Sequence, residues 1–109
     1  MAMTINRSDF HRDIVADEYP DASYLDQPEF ETRREAYERG EFEFVGVRAS
    51  VTVMIPFGAD DTRISHVIES PGLWGIESDS DEAYISEVYA DECETLAHML
   101  RELGVEVQG

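Results

Sequence analysis

The chain has 109 residues, 42% of them apolar, which is enough for one domain with a single core and too few for two. Its 25 acidic residues face eight arginines and no lysine, so the formal net charge is −17. Such a charge repels nucleic acid and anionic membranes and attracts basic surfaces, which argues against direct nucleic-acid binding.

The sequence also predicts a cytoplasmic protein, which means the host cytoplasm if a phage encodes it. There is no apolar run of about 18 residues that could span a bilayer. There is also no basic segment followed by an apolar one to direct secretion. The single cysteine, Cys93, cannot form an internal disulfide, which agrees with a reducing compartment.

The N-terminal third of the chain predicts two short helices. Ser8 can cap a helix from Asp9 to about Ala16, whose apolar residues fall near one face. Turn formers then predict an irregular connection, so within the single domain 1–109 the first 27 residues can form a loosely packed arm. A second helix is predicted from Pro28 to Arg39, because Pro28 suits a first turn and Gly40 suits the position after a helix end.

The central part of the chain predicts three strands. Residues change to an alternating apolar pattern from Glu41 to Ile55, and two further strands are expected at Arg63–Glu69 and Leu73–Glu77. The residues between these two strands, 70–72, read Ser-Pro-Gly and predict a turn, so an antiparallel meander is expected. The alternation in the third strand places Trp74 on the same face as Ile76 and favours burial of its indole under the last helix.

A long helix is predicted from a cap at Ser78, Asp79 or Ser80 to Leu103, with an apolar stripe along one side. Gly104 ends it, and residues 105–107 can return as a short edge strand. The predicted fold is therefore α+β: a small antiparallel sheet of three to four strands packs against a long C-terminal helix, with two shorter helices at the N-terminus.

Acidic residues concentrate around this helix. Nine lie between Glu69 and Glu94 with no arginine among them, whereas residues 45–68 have two acids and two arginines. A row of carboxylates beside an exposed aromatic ring can imitate a phosphate backbone with its bases. The predicted partner-binding surface consists of Glu77, Asp79, Asp81, Glu82, Tyr84, Glu87, Asp91 and Glu94. A merely solvated helix face and halophilic adaptation are the alternatives.

No constellation predicts catalysis, and no cofactor is expected. The glycines form no phosphate-binding loop, and no serine lies in a nucleophile elbow. Asp91, Glu94 and His98 share one helical face and could be metal ligands, but a site needs further ligands from a second element, and neither His11 nor His66 brings a matching carboxylate pair. We therefore expect that the protein is not an enzyme and holds no metal. A metal-dependent enzyme stays open as an alternative, which stoichiometric metal would support.

The segment SPGLWGIESDSDEAYISEVYADE resembles small proteins of phages and other mobile elements, over about the last 40 residues. The small, acidic, lysine-free chain is also similar to the class of phage-encoded DNA mimics, which includes anti-CRISPR and antirestriction proteins. The resemblance carries over no individual residue. It implies an inhibitor whose partner is a basic nucleic-acid-binding protein or complex of the host.

The competing hypothesis is a non-catalytic structural or accessory protein of a mobile element. In that case the acidity would only keep the protein soluble. Such a protein could form a homodimer through a sheet edge.

Overall fold

The computed structural model describes residues 3–56, 58 and 62–109. The strands are β1 (Met3–Asn6), β2 (His11–Ala16), β3 (Phe44–Pro56), β4 (Arg63–Glu69), β5 (Leu73–Glu77) and β6 (Val105–Gln108). The helices are α1 (Glu31–Glu38) and α2 (Glu82–Glu102), and short 3-10 turns lie at Arg7–Asp9, Ser23–Asp26 and Pro28–Phe30. An α+β fold with a four-stranded antiparallel sheet and a C-terminal helix is thereby confirmed.

Strand β3 is the centre of the sheet. Its first half pairs with β2 on one side, while β5 and β4 pair with successive parts of β3 on the other side. The expected meander is therefore wrong, because β4 and β5 lie end to end along one edge of β3. Ser70 continues the hydrogen bonding to β3 between these two strands. Its N–H donates to the Ala49 carbonyl at 2.8 Å, and its Oγ accepts from the Ala49 N–H at 2.9 Å. The serine hydroxyl thus replaces a ladder bond where the chain passes from β4 to β5.

The predicted helix from Asp9 to Ala16 is wrong. A 3-10 turn at Arg7–Asp9, which Asn6 caps by accepting from the Ser8 N–H at 2.9 Å, ends at the first residue of the predicted helix, and the chain becomes strand β2 from His11. Ile14 and Val15 are β-branched and fit a strand at least as well as a helix, and β3 supplies the neighbouring edge. The N-terminus therefore contains one α-helix, α1, instead of two.

Apolar side chains of the N-terminal segment are buried in two clusters. Ile5 and Phe10 are buried against Leu96 and Leu100 of α2. Leu25 is buried in a separate cluster of α1 and the start of β3, where aromatic rings meet edge to face. Helix α1 itself matches the prediction, apart from its first turn, and ends before Gly40, which has a φ of +74°.

Helix α2 covers one face of the sheet. Its buried side chains pack on alternate residues of β3, from Val45 to Val53. The helix begins one residue later than the last predicted cap, Ser80, allows, because Asp81 is the residue whose carboxylate accepts from the Ala83 N–H at 2.7 Å. After Gly104, β6 forms as expected, but it pairs in parallel with β1 instead of extending the main sheet.

Trp74 is 42% exposed, so its predicted burial under α2 is wrong. Gly75 has a φ of +75°, and the pairing of β5 with β3 shifts between Val45 and Val47. This irregularity breaks the alternation, so Ile76 stays under α2 while the indole turns to the opposite face of the sheet. There it covers Gly46, where a Cβ atom would lie 2.4 Å from the ring.

Candidate acidic partner-binding surface

The eight predicted partner-binding residues lie along one continuous part of the chain, from the end of β5 through the loop into α2. Glu77 is the last residue of β5, and Asp79 and Asp81 lie in the loop. The other five residues project from α2. The structure thus places the set around the N-terminal two thirds of α2, but the individual side chains have different surroundings.

Arg33 of α1 compensates one of the two negative charges in the first part of this surface. Its guanidinium contacts Asp79 through two nitrogens, at 3.0 and 2.8 Å, and Glu77 at 2.7 Å. The hydrogen bond from Arg33 lowers the pKa of Asp79. The Tyr24 hydroxyl donates to Glu77 at 2.7 Å, and burial together with this carboxylate raises the pKa of Tyr24 to about 12. These contacts join α1 and its preceding turn to the loop before α2.

Two more arginines bind carboxylates of α2 itself. Arg12 of β2 lies 2.5 Å from Glu82, and Arg7 contacts Glu94, with a second contact at 3.2 Å. The hydrogen bond from each arginine lowers the pKa of the carboxylate it contacts. We call Asp79, Glu82 and Glu94 the arginine-paired carboxylates. They connect the 3-10 turn after β1, strand β2 and helix α1 to the acidic segment, so much of this charge has a structural role.

The exposed side of α2 keeps unpaired charge. Glu87 and Asp91 are exposed and form no ion pair with any residue that the structure describes. Tyr84, 45% exposed, precedes them on the same side of the helix. We call Tyr84, Glu87 and Asp91 the α2 ridge. The two carboxylates are four residues apart, so they repel each other at an axial spacing of about 6 Å.

The surface remains acidic after this compensation. Seven carboxylates against three arginines leave four negative charges. Along the roughly 18 Å of helix from Glu82 to Glu94, two carboxylates of this surface remain without an arginine, where a single DNA strand would have about five charges. A basic groove would therefore meet a weaker negative field.

The arginine contacts are the feature of this surface that the sequence did not predict. All three arginines come from residues 1–44, which lie more than 40 positions from the carboxylates that they bind. The mistaken helix over residues 9–16 hid the position of Arg12. The one sequence feature that pointed to such contacts was the presence of five arginines in residues 1–44, whose other charged residues are acidic.

The three residues considered as metal ligands do not converge. Glu94 is occupied by Arg7, and His98 Nε2 lies 3.1 Å from Glu102, one turn further along α2. Within the described ranges, no group of three or more histidine, cysteine or acidic side chains has a geometry suited to a metal ion. Cys93 is half-buried beside Tyr89, whose pKa is raised to about 12 by burial and by its contact with the thiol.

No family model, curated protein or solved structure matches this chain. Over the part of the chain that the structure describes, no helix combines the length and apolar character needed to cross a bilayer. The interpretation of function therefore depends on the geometry and charge of the surface described above.

Proposed function

We propose that the protein is a non-catalytic inhibitor of the DNA-mimic class, which occupies the nucleic-acid-binding groove of a host defence complex such as a CRISPR effector or a restriction enzyme. The observation that carries the proposal is the α2 ridge, where two unpaired carboxylates follow an exposed tyrosine along one side of the helix. In the complex, Glu87 and Asp91 would contact the lysines and arginines that otherwise bind phosphates. Tyr84 would offer a ring where a base normally stacks.

The contacts indicate that the acidic residues have different roles. The arginine-paired carboxylates and Asp81 hold the N-terminal segments and the start of α2 in place. At a distance each ion pair cancels its own net charge, so the field that attracts a basic partner comes mainly from the carboxylates without an arginine. Direct contact is assigned to the ridge, so its removal should affect binding more than its share of the total charge.

A competition experiment tests this assignment. The double variant Glu87→Gln/Asp91→Asn removes two charges from the ridge. The control Glu18→Gln/Asp26→Asn removes the same two groups from exposed positions outside α2. Each protein is titrated into a restriction enzyme, and separately into a CRISPR effector complex, bound to labelled duplex DNA. Release of the DNA is measured at about 50 and 300 mM salt.

We expect the wild type and the control variant to release the DNA, and to do so more weakly at high salt. Loss of two contacts of about 0.5–1 kcal/mol each should raise the inhibitory concentration of the ridge variant roughly 5- to 30-fold. Equal competition by the ridge variant and its control would refute the role of the ridge. Failure of the wild type to compete with either class of enzyme would refute the proposed target.

The accessory-protein hypothesis remains the second candidate, because five of the seven carboxylates make intramolecular contacts. On this hypothesis the acidity serves solubility alone. The same two variants should then lower the solubility limit in ammonium sulfate by equal amounts, while any partner captured by the wild type is still captured by both. A partner lost only by the ridge variant would contradict it.

A further inference from the structure

From residue 51 to Pro56, β3 pairs with β4 alone among the described strands, so this part of the sheet is a two-stranded ribbon. The molecule measures 62 × 24 × 19 Å, and β4 pairs only with β3 among the described strands. Four large apolar side chains of the ribbon are between 42% and 52% exposed, namely Met54, Ile55, Ile64 and Val67. The open edge of β4 thus combines unpaired backbone groups with exposed apolar surface.

This edge lacks the usual protection against pairing. Exposed edge strands normally carry lysines, prolines, inward-pointing charges or bulges. Strand β4 reads RISHVIE, so its one arginine and its one acidic residue are at its two ends, Arg63 and Glu69, and Glu69 also contacts Arg48 of β3 at 3.0 Å. The surrounding residues 45–68 have zero net charge in a chain of −17. Two copies of the protein therefore meet the least repulsion when they approach through this edge.

The hydrogen-bond alternation shows which backbone groups the edge offers. Because the Ser70 N–H bonds to Ala49, residues 64, 66 and 68 of β4 direct their N–H and C=O groups toward β3. The groups of residues 63, 65, 67 and 69 face the open side. An antiparallel partner must therefore match these odd-numbered positions with its own.

We propose that two copies of the chain pair antiparallel through β4, with His66 opposite the partner's His66. In this register Arg63 lies opposite the partner's Glu69, and Glu69 opposite the partner's Arg63. Ile64 meets the partner's Ile68 on the face that also bears α2. Every open odd-numbered position then pairs with another, and both charged ends are complementary. This pairing does not depend on the proposed function.

The resulting dimer has one continuous sheet in the order β2-β3-β4-β4-β3-β2. Paired residues of antiparallel strands point to the same side, so both α2 helices lie on one face of this sheet. The α2 ridges point away from the sheet and stay accessible. A dimer would consequently present two acidic ridges to the same side.

Sedimentation equilibrium between about 1 and 500 μM, with circular dichroism as a check of folding, tests the charge pairing. Arg63→Glu places like charges opposite each other at both ends and should raise the dimer dissociation constant at least about tenfold. The conservative change Arg63→Lys keeps both pairs and leaves the contact of Glu69 with Arg48 intact, so it should keep dimerisation. Arg34→Glu, with the same charge change on α1, should leave the dissociation constant within about twofold. A wild type that is monomeric throughout, or a dimer indifferent to Arg63→Glu, overturns the proposal.

A cross-linking experiment tests the register independently of the charge changes. In the Cys93→Ser background, His66→Cys places two thiols at a non-hydrogen-bonded pair, where Cα atoms are about 4.5 Å apart and a disulfide can form. Ile64→Cys places the two thiols about 14 Å apart along the strands. Mild oxidation should convert most of the first variant, and little of the second, to covalent dimer. Equal cross-linking of the two, or none in the first, overturns the register.

Discussion

Ser70 offers the most direct test of how the sheet is held together. Its side chain is 3% exposed, its Oγ accepts from the Ala49 N–H, and its hydroxyl donates to Glu92 at 2.7 Å. The same Glu92 oxygen accepts from the Gly72 N–H at 2.7 Å. Hydrogen bonds of Ser70 and Glu92 thus connect the junction of β4 and β5 both to β3 and to α2.

The change Ser70→Ala should lower the free energy of unfolding by about 2 kcal/mol. It leaves the fully buried Ala49 N–H without its partner, and an unsatisfied buried amide costs about 1–3 kcal/mol. The lost bond to Glu92 adds less, since that carboxylate is only half-buried and keeps the Gly72 contact. At roughly 2.1 cal/mol/K of unfolding entropy per residue, this corresponds to a decrease of about 9 °C in the melting temperature.

Urea unfolding, followed by the fluorescence of Trp74 and by circular dichroism, measures this change. Ser86→Ala is the matched control, because Ser86 is an exposed serine of α2 that bonds Glu82 at 3.2 Å. The control should change the free energy by no more than about 0.5 kcal/mol. If the two variants lose equal stability, the Ser70 hydroxyl does not replace a ladder bond, and the account of the β4–β5 junction is incorrect.

Three further changes have defined outcomes. The arginine-paired carboxylates have lowered pKa values, so the folded state binds fewer protons than the unfolded chain. The melting temperature should consequently fall as the pH decreases from about 4.5 to 2.5, and calorimetry showing no change would contradict this. Gly75→Ala should cost about 1–2 kcal/mol in a chemical unfolding curve, because an alanine strains at a φ of +75° even though space is free. Leu100→Ala should cost about 2–5 kcal/mol, whereas Leu103→Ala, 65% exposed, should cost under about 0.5 kcal/mol; equal losses would refute the described core.

The elements with strong local signals were predictable from the sequence. Strands β4 and β5 begin and end where predicted, because Ser70, Pro71 and Gly72 interrupt the apolar pattern between them. Helix α2 follows from a long apolar stripe with a cap before it and Gly104 after it. In each case the deciding information lies within a few residues of the element boundary.

The predictions that were wrong, or were not made, depend on contacts between residues that are far apart in the sequence or on a glycine backbone conformation. Residues 11–16 suit a strand or a helix, and only the edge of β3 decides between them. The interruption at residues 70–72 looks like a hairpin turn until the bond of Ser70 to Ala49 is known. Trp74 follows simple alternation only if Gly75 keeps a negative φ, and glycine has no need to do so. Arginine contacts across more than 40 residues have no periodic signature at all.

The two unpaired carboxylates of the α2 ridge separate function from structure. Glu87 and Asp91 repel each other one turn apart, which costs the helix a few tenths of a kcal/mol, and no arginine contacts them among the described residues. Arginines from the N-terminal part of the chain contact Glu82 and Glu94 on the same helix, so arginine side chains can reach exposed carboxylates of α2. Glu87→Gln/Asp91→Asn should therefore stabilise the protein slightly while it weakens binding. A ridge variant that loses stability would show that these carboxylates serve the fold, whereas a gain of stability with a loss of competition would show that the charge is kept for a partner.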